Sequence, residues 1–381
     1  ALYEGTTPIE PEKTPEEGYH FTEDMTTKAI KWIRQQKALM PDKPFFTYIA
    51  PGATHAPHHV PKEWADRYKG KFDKGWDKLR EETFARQKQL GVIPPDCQLT
   101  ARSEGVPAWD TIADKMKPVL ARQMEVYAGF LEHTDHHVGR LIDTLRDLGI
   151  LDNTLIFVII GDNGASAEGS LQGTFNEMVT LTGFGHLETA EFLSAKLDEL
   201  GGVEAYNHYA VGWAHALDTP YQWTKQVASH FGGTRNGMIV HWPTGIKARG
   251  DIRSQFHHVI DVAPTILEAA RLPEPVFVNG VQQRPIEGVS MVYSFDDPAV
   301  AGRHETQYFE MMGQWALYDD GWLLSTKVNR APWEAFGPAN TDPLNNQVFQ
   351  LYNLNQSWNQ EEDVAAKYPQ KVKQMRAKFL A

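Results

Sequence analysis

Asp162 and Asn163 follow the apolar run Leu155-Ile-Phe-Val-Ile-Ile160 and sit between Gly161 and Gly164. One carboxylate and one amide carbonyl are hard oxygen donors of the kind that hold Ca²⁺ or Mg²⁺. The same residues also make an ordinary turn, because Asp, Asn and Gly favour turns for conformational reasons alone. His55 stands in Pro51-Gly-Ala-Thr-His-Ala-Pro-His-His59, directly after the apolar Phe45-Phe-Thr-Tyr-Ile49. An imidazole there can carry a proton near neutral pH, or merely serve the backbone of its loop. His136-His137 and His257-His258 are weaker candidates. Neighbours on a helix project about 100° apart, which is poor for chelating one ion.

The elements that must position these groups follow from pattern. Leu155–Ile160 predicts a buried, parallel strand, whose carboxyl end is where open α/β sheets place ligands. Phe45–Ile49 predicts a second strand, so that His55 stands past one strand end as Asp162 does past the other. Residues 1 to 20, rich in Pro, Glu and Thr, read as an extended surface segment. Thr22 is a suitable N-cap for a helix to about Lys37, with Glu23 and Asp24 in its first turn. Residues 61–115 read as an inserted, partly helical lobe. A long amphipathic helix follows, with Val119, Leu120, Met124, Tyr127, Leu131 and Val138 on its apolar face and Glu132, His133, Asp135, His136 and His137 exposed. Residues 165–219 read as a second insertion with a helical piece near 189–200. Its aromatic residues Phe175, Phe184, Tyr206, Tyr209 and Trp213 either line a pocket or pack. A further helix is expected over 258–270, with Pro264 in its first turn. From about 304 the pattern turns to short alternating strands around Asp319-Asp320-Gly321, a hairpin signal, then a last helix over about 361–379.

Bulk composition excludes several classes. The chain has 381 residues with 41% hydrophobic and 23% charged content, ordinary for a globular protein. A net charge of −12 argues against a nucleic-acid partner, since no basic surplus exists to neutralise phosphates. No apolar run reaches the ~20 residues of a membrane span. Cys97 is the single cysteine, so no intrachain disulfide forms and the redox compartment is left open. The chain opens on Ala1-Leu-Tyr-Glu-Gly, neither an initiator Met nor a signal peptide, so localisation stays unassigned.

Several motifs, in order, carry a resemblance. Ala53-Thr-His-Ala-Pro-His58, Gly161-Asp-Asn-Gly164, Lys225 before Gly232-Gly-Thr-Arg235, Trp242-Pro243, and Phe349-Gln-Leu-Tyr-Asn-Leu354 before Glu361-Glu-Asp363 together resemble the type I sulfatases, nearest the bacterial arylsulfatase branch. The match runs from about residue 20 nearly to the end. It implies an α/β, alkaline-phosphatase-like sandwich, incomplete at its N-terminal side, with a small C-terminal α+β domain. The corresponding division is 1–303 and 304–381. The resemblance further implies hydrolysis of sulfate monoesters by a formylglycine, made from a cysteine, beside a divalent cation that is usually Ca²⁺, with Mg²⁺ as the alternative. Asp162 and Asn163 would be metal ligands. His55 would assist departure of the alcohol, and Lys225 would hold a sulfate oxygen. Lys225 stands seven residues before Gly232, one more than the usual spacing, so His230, nearer the glycines, is the alternative anchor. Trp213 is a candidate for the substrate wall.

The chemistry suits these roles. Sulfate transfer concentrates negative charge on nonbridging and leaving oxygens, where a cation and a lysine are stabilising. A leaving alkoxide calls for a proton donor. The expected partner is a small-molecule sulfate ester, and a homo-oligomer is compatible. The family's early aspartate pair, its Cys-x-Pro-x-Arg segment and its Lys-x-His pair are absent. Cys97, in Asp96-Cys-Gln-Leu-Thr-Ala-Arg102, lacks the proline and reads as a bystander. The expectation is therefore a C-terminal portion of a sulfatase, inactive alone, with its nucleophile upstream. Two alternatives stand: a phosphonate or phosphodiester hydrolase of the same superfamily, and a non-catalytic binding relic of the fold.

Overall fold

The computed structural model describes residues 2–334 and 347–381. Strands β1 (Leu2–Glu4) and β2 (Thr7–Ile9) form an exposed antiparallel hairpin. Helix α1 (Phe21–Leu39) follows, with Glu23 and Asp24 in its first turn. Its cap is His20 and not the expected Thr22: His20 Nδ1 accepts the Thr22 amide at 3.3 Å.

The 61–115 region holds α2 (Lys62–Asp66) and α3 (Gly75–Leu90), and α4 (Lys117–Asp147) is the long amphipathic helix. Its apolar face meets Trp76, Trp109 and Trp213 in the largest core of the molecule. His133 and His137, expected in solvent, are buried. Two elements cover that flank: the His20 ring lies 4.3 Å from His133 and the Trp64 ring 5.2 Å from it. Packing on a second face thus overrides the single stripe that the pattern suggested: of the residues expected exposed, Asp135 and His136 stay so and Glu132 is half-buried, while Leu131, expected on the apolar face, is about half exposed.

Strand β3 (Ile156–Ile160) is the organising strand, but its setting differs from expectation. Between it and its partner come the short helices α5 (Glu177–Leu181), α6 (Ala190–Ala195), α7 (Val211–Leu217) and α8 (Phe231–Thr234). Strand β4 (Gly237–His241) then pairs antiparallel with β3, in register from Ile156 opposite His241 to Ile160 opposite Gly237. The pair is neither parallel nor buried: Ile159, Ile160 and Ile239 are about half exposed. Among the described residues these two strands are alone in their sheet. The expected strand at 45–49 likewise forms no ladder, and Phe46 and Tyr48 lie open. A strand exists only against a partner backbone, so extended apolar chain without one stays an unpaired edge.

Helix α9 (Val262–Ala269) carries Pro264 in its first turn, as expected. After the two-residue strands β5 (Phe277–Val278) and β6 (Val281–Gln282) comes an antiparallel sheet of β7 (Thr306–Met311), β8 (Gln314–Asp319), β9 (Trp322–Thr326) and β10 (Phe349–Asn353), in order β10-β9-β8-β7. Asp320 and Gly321 both take positive φ, at 44° and 79°, which suits a tight hairpin between β8 and β9. Helix α10 (Pro369–Leu380) packs Met375 onto Trp315, Leu324 and Leu351. It begins eight residues later than expected. Ser357 Oγ takes the Glu361 and Glu362 amides and Asp363 Oδ1 takes those of Leu351 and Ala365, so side chains compete with helical bonding until Pro369 starts the helix.

Candidate active site

The turn after β3 is seated against the segment that enters β4. Gly164 donates its amide to the Gly233 carbonyl at 3.1 Å. A Cβ at Gly164 would collide with the Gly232 carbonyl, and a Cβ at Gly232 with the carbonyls of Gln222 and Trp223. Both positions therefore require glycine for backbone approach. Next to Gly164, the Ala165 amide donates to the Asp218 carboxylate at 2.9 Å and the Ala165 carbonyl accepts the Lys225 amide at 3.0 Å. The Asp162-Asn163 turn and Lys225 are thus tied through one residue. Trp223 and Gln226, on either side of Lys225, hold φ of 66° and 74°, left-handed values rare for side-chain-bearing residues. Such strain concentrates where a side chain must be aimed.

The His55 loop is pinned from two sides. The His58 amide donates to Asn207 O and the Val60 amide to Gly201 O, both at 3.1 Å. Thr54 Oγ1 donates to the Tyr127 hydroxyl on α4 at 3.1 Å. His55 itself stays accessible, with 57% of its side chain exposed. Its Nδ1 lies 2.8 Å from the Ala56 carbonyl, which can only accept, so Nδ1 carries the proton. Nε2 is then the free acceptor, and Lys225 Nζ donates to it at 3.1 Å.

Lys225 also donates to Glu168 Oε2 at 3.1 Å. Gln226 Nε2 donates to Glu168 Oε1 at 2.9 Å, and Ser166 Oγ to Oε2 at 3.0 Å. Burial pushes the Glu168 carboxyl up, but the Lys225 charge with the bonds from Lys225, Gln226 and Ser166 outweighs it and holds the group below the usual carboxylate range. Glu177 lies nearby, buried, with Oε2 free of hydrogen bonds among the described residues; burial holds its carboxyl above the usual range. His208 is fully buried, donates from Nδ1 to Tyr209 O at 2.8 Å, and has its pKa pushed down to about 4 by that burial.

Two expected site residues lie elsewhere. Trp213 is fully buried in the main core, its indole N–H given to Leu120 O at 2.9 Å and its ring against Phe72, Trp76 and Trp109. It packs in the core, out of reach of solvent. His230 is 1% exposed, bonded to Ser229 Oγ at 2.9 Å and set against Tyr352 of β10. Burial takes its pKa down to about 3. The residue beside His55 is therefore Lys225, and the longer spacing to Gly232 is absorbed by the turns over 224–230. Cys97 is buried, which pushes its thiol up to about 11, so it is a poor nucleophile.

For a metal, the donor set can be tested against the structure. The Asp162 carboxylate and Asn163 amide project from adjacent turn positions, and neither is tied to another described residue by a side-chain hydrogen bond or ion pair. As free hard oxygens they fit Ca²⁺ or Mg²⁺, but six or more ligands are needed. No group of three His, Cys, Asp or Glu that could hold a metal occurs among the described residues. The pair would supply two of those ligands.

Glu168, Gln226, Ser166 and Asp218 escaped the sequence reading. The one available signal was the position of Glu168, six residues after Asp162 in the same loop, and a lone acid in a loop is common.

Comparison with known proteins gives the family. The family model described as Sulfatase matches residues 3–272. An uncharacterized sulfatase of Schizosaccharomyces pombe is 34% identical over 248 residues, 65% of this chain and 43% of that protein. An arylsulfatase of Klebsiella aerogenes is 29% identical over 276 residues, 72% of this chain and 55% of that protein. The chain thus spans about half the length of these relatives. Among solved structures, Ps i-CgsB in complex with k-i-k-neocarrahexaose aligns over 98% of this chain and 57% of its own, with a TM-score of 0.54 and 19% identity. The phosphonate monoester hydrolase of Agrobacterium radiobacter aligns over 99% and 63%, with a TM-score of 0.50 and 15% identity. At such identities the likeness is one of fold, the mixed α/β, alkaline-phosphatase-like architecture. On the family match across residues 3–272, the chain belongs to the sulfatase family.

Proposed function

We propose that this chain is the part of a sulfatase that binds the sulfate group and assists the leaving alcohol. The observation that carries the reading is the contact of Lys225 Nζ with His55 Nε2 at 3.1 Å, beside a turn that offers Asp162 and Asn163 as free oxygen donors. A lysine ammonium held there stabilises charge on a nonbridging sulfate oxygen. His55 keeps Nδ1–H on the Ala56 carbonyl; when Nε2 takes up a proton, the Lys225 ammonium turns from it to the sulfate oxygen, and the imidazolium hands the Nε2 proton to the departing oxygen. Asp162 and Asn163 would hold Ca²⁺, or Mg²⁺ in its place, which when bound supplies further charge stabilisation to the sulfate. The nucleophile is read as a formylglycine derived from a cysteine outside this sequence, and residues 1–381 by themselves as inactive. We also read 1–303 as part of the large α/β domain, with insertions at 61–115 and 165–219, and 304–381 as a small C-terminal domain.

The partner is a small-molecule sulfate ester, aryl or related. No helix among the described residues is long and apolar enough to cross a membrane. The test is turnover of a chromogenic aryl sulfate by the intact protein, with and without Ca²⁺, beside the matching aryl phosphonate. Calcium-dependent release from the sulfate alone supports the reading. Preference for the phosphonate would replace it with the related hydrolase, and binding of inorganic sulfate without turnover of either ester would leave a binding relic.

A further inference from the structure

We propose that Glu168 is a positioning residue: its carboxylate holds the Lys225 ammonium against His55 and sets how strongly Lys225 grips an anionic ester. This rests on the sulfatase reading of the same pocket. Glu168 touches none of the reacting atoms assigned above and acts through Lys225. Three donors converge on it, from Lys225, Gln226 and Ser166, at 3.1, 2.9 and 3.0 Å. Its Oε2 lies 3.9 Å from His55 Nε2, so the lysine sits between a carboxylate and an imidazole. The Glu168 and Lys225 side chains are about four-fifths buried, with 20% and 18% exposed, which weakens the screening an open ion pair would have. A flexible four-carbon stem has many rotamers, and a fixed carboxylate selects the one that reaches Nε2.

The arrangement carries an opposing effect. The anion that orders Lys225 also competes with sulfate for the same ammonium. Loss of its charge should therefore tighten sulfate binding while it slows the chemical step, because the lysine then follows the bound anion and not the geometry that suits the leaving oxygen. A purely structural carboxylate would not separate these two quantities.

The experiment compares Glu168→Gln and Glu168→Asp in the intact protein. Glu168→Gln keeps shape and a hydrogen-bond acceptor; Glu168→Asp keeps the charge. For Glu168→Gln the expectation is inorganic sulfate bound about tenfold more tightly, KM for an aryl sulfate lowered, and kcat lowered about tenfold, the order of coupling between side chains in direct contact. Glu168→Asp keeps the charge, so sulfate affinity should stay within about threefold of wild type, while its shorter stem releases the lysine and lowers kcat. A third readout needs no turnover. In ¹⁵N spectra of labelled histidine, wild-type His55 should show Nδ1–H with Nε2 accepting, and Glu168→Gln should shift the Nε2 resonance as the lysine leaves. Unchanged sulfate affinity and an unchanged Nε2 signal would overturn the proposal, as would equal losses of affinity and kcat in both variants. A moved Nε2 signal without sulfatase turnover would support Glu168 and count against the reading of the pocket. If Glu168→Gln does not fold, Glu168→Asp carries the test, and an unmoved Nε2 signal and unchanged kcat there would overturn the proposal equally.

Discussion

Lys225 Nζ lies 3.1 Å from His55 Nε2 across 170 residues of sequence. One group comes from the loop after residues 45–49, the other from the turn that leads into β4, and each is anchored by its own set of backbone bonds. The Ala56 carbonyl fixes the tautomer of the histidine, and the contact with Nε2 sets the direction of the lysine. It is the basis for the first expectation.

His55→Ala should lower kcat/KM by about 10²–10⁴ for esters of poor leaving groups, the range for loss of a general acid. For activated aryl sulfates the loss should be much smaller. The check is the slope of log kcat/KM against leaving-group pKa, and a slope identical to wild type would remove the acid role. Lys225→Met should instead cost about 10²–10³ whatever the leaving group, because it removes charge stabilisation alone.

Asp162→Ala should abolish metal-dependent turnover, and Asn163→Ala should raise the Ca²⁺ concentration required for half activity. A chelator titration on wild type and both variants reads this directly. Wild-type activity of Asp162→Ala in excess chelator would eliminate the proposed metal position.

Trp213→Ala should act on stability and not on substrate preference. The ring is fully buried among Phe72, Trp76 and Trp109, so its truncation should cost about 3–5 kcal/mol in urea unfolding. The ratio of kcat/KM for two different aryl sulfates should be unchanged in the folded fraction. A changed ratio would return Trp213 to the pocket.

Acid should destabilise the fold well before carboxylates titrate. Burial takes the pKa of His208 down to about 4 and of His230 to about 3, against an ordinary value of 6.5. Above pH ~6.5 both folded and unfolded states hold these rings neutral, so their contribution to stability is flat and fully present. Below it the unfolded chain binds protons that the folded chain refuses. Each ring then costs about 1.4 kcal/mol per pH unit until its folded value is reached. Urea midpoints measured from pH 8 to pH 5 should fall below pH 6.5, and the fall should shrink in His230→Gln if that variant folds. A flat profile to pH 5 would contradict the burial argument.

Gly164→Ala should be costly for a reason that no side-chain contact records. The added methyl meets the Gly232 carbonyl, and backbone cannot yield as a flexible side chain does, so overpacking costs of about 1–3 kcal/mol are the floor. The check is unfolding free energy together with Ca²⁺ affinity, since the shift would displace Asp162 and Asn163. Unaltered values in both would argue against the close seating of the two turns.

Local sequence determined what depends on neighbours along the chain. Pro264 in the first turn of α9, the Asp320-Gly321 hairpin and the amphipathic span of α4 all follow from backbone preference and periodicity, which a short window contains. The motifs around His55, Asp162 and Lys225 stand in the sequence as short strings of residues, and the structure brings His55 and Lys225 into contact. Tertiary structure decided what depends on partners distant in sequence. It put Trp213 and His230 in the interior, buried His133 and His137 beneath elements that precede α4, and chose Lys225 as the neighbour of His55. It also left β3 and β4 as an antiparallel pair with open flanks and gave residues 45–49 no ladder. Strand pairing and burial are properties of a surface assembled from many segments, so an apolar run states that it seeks a partner without stating which one, or whether one is present.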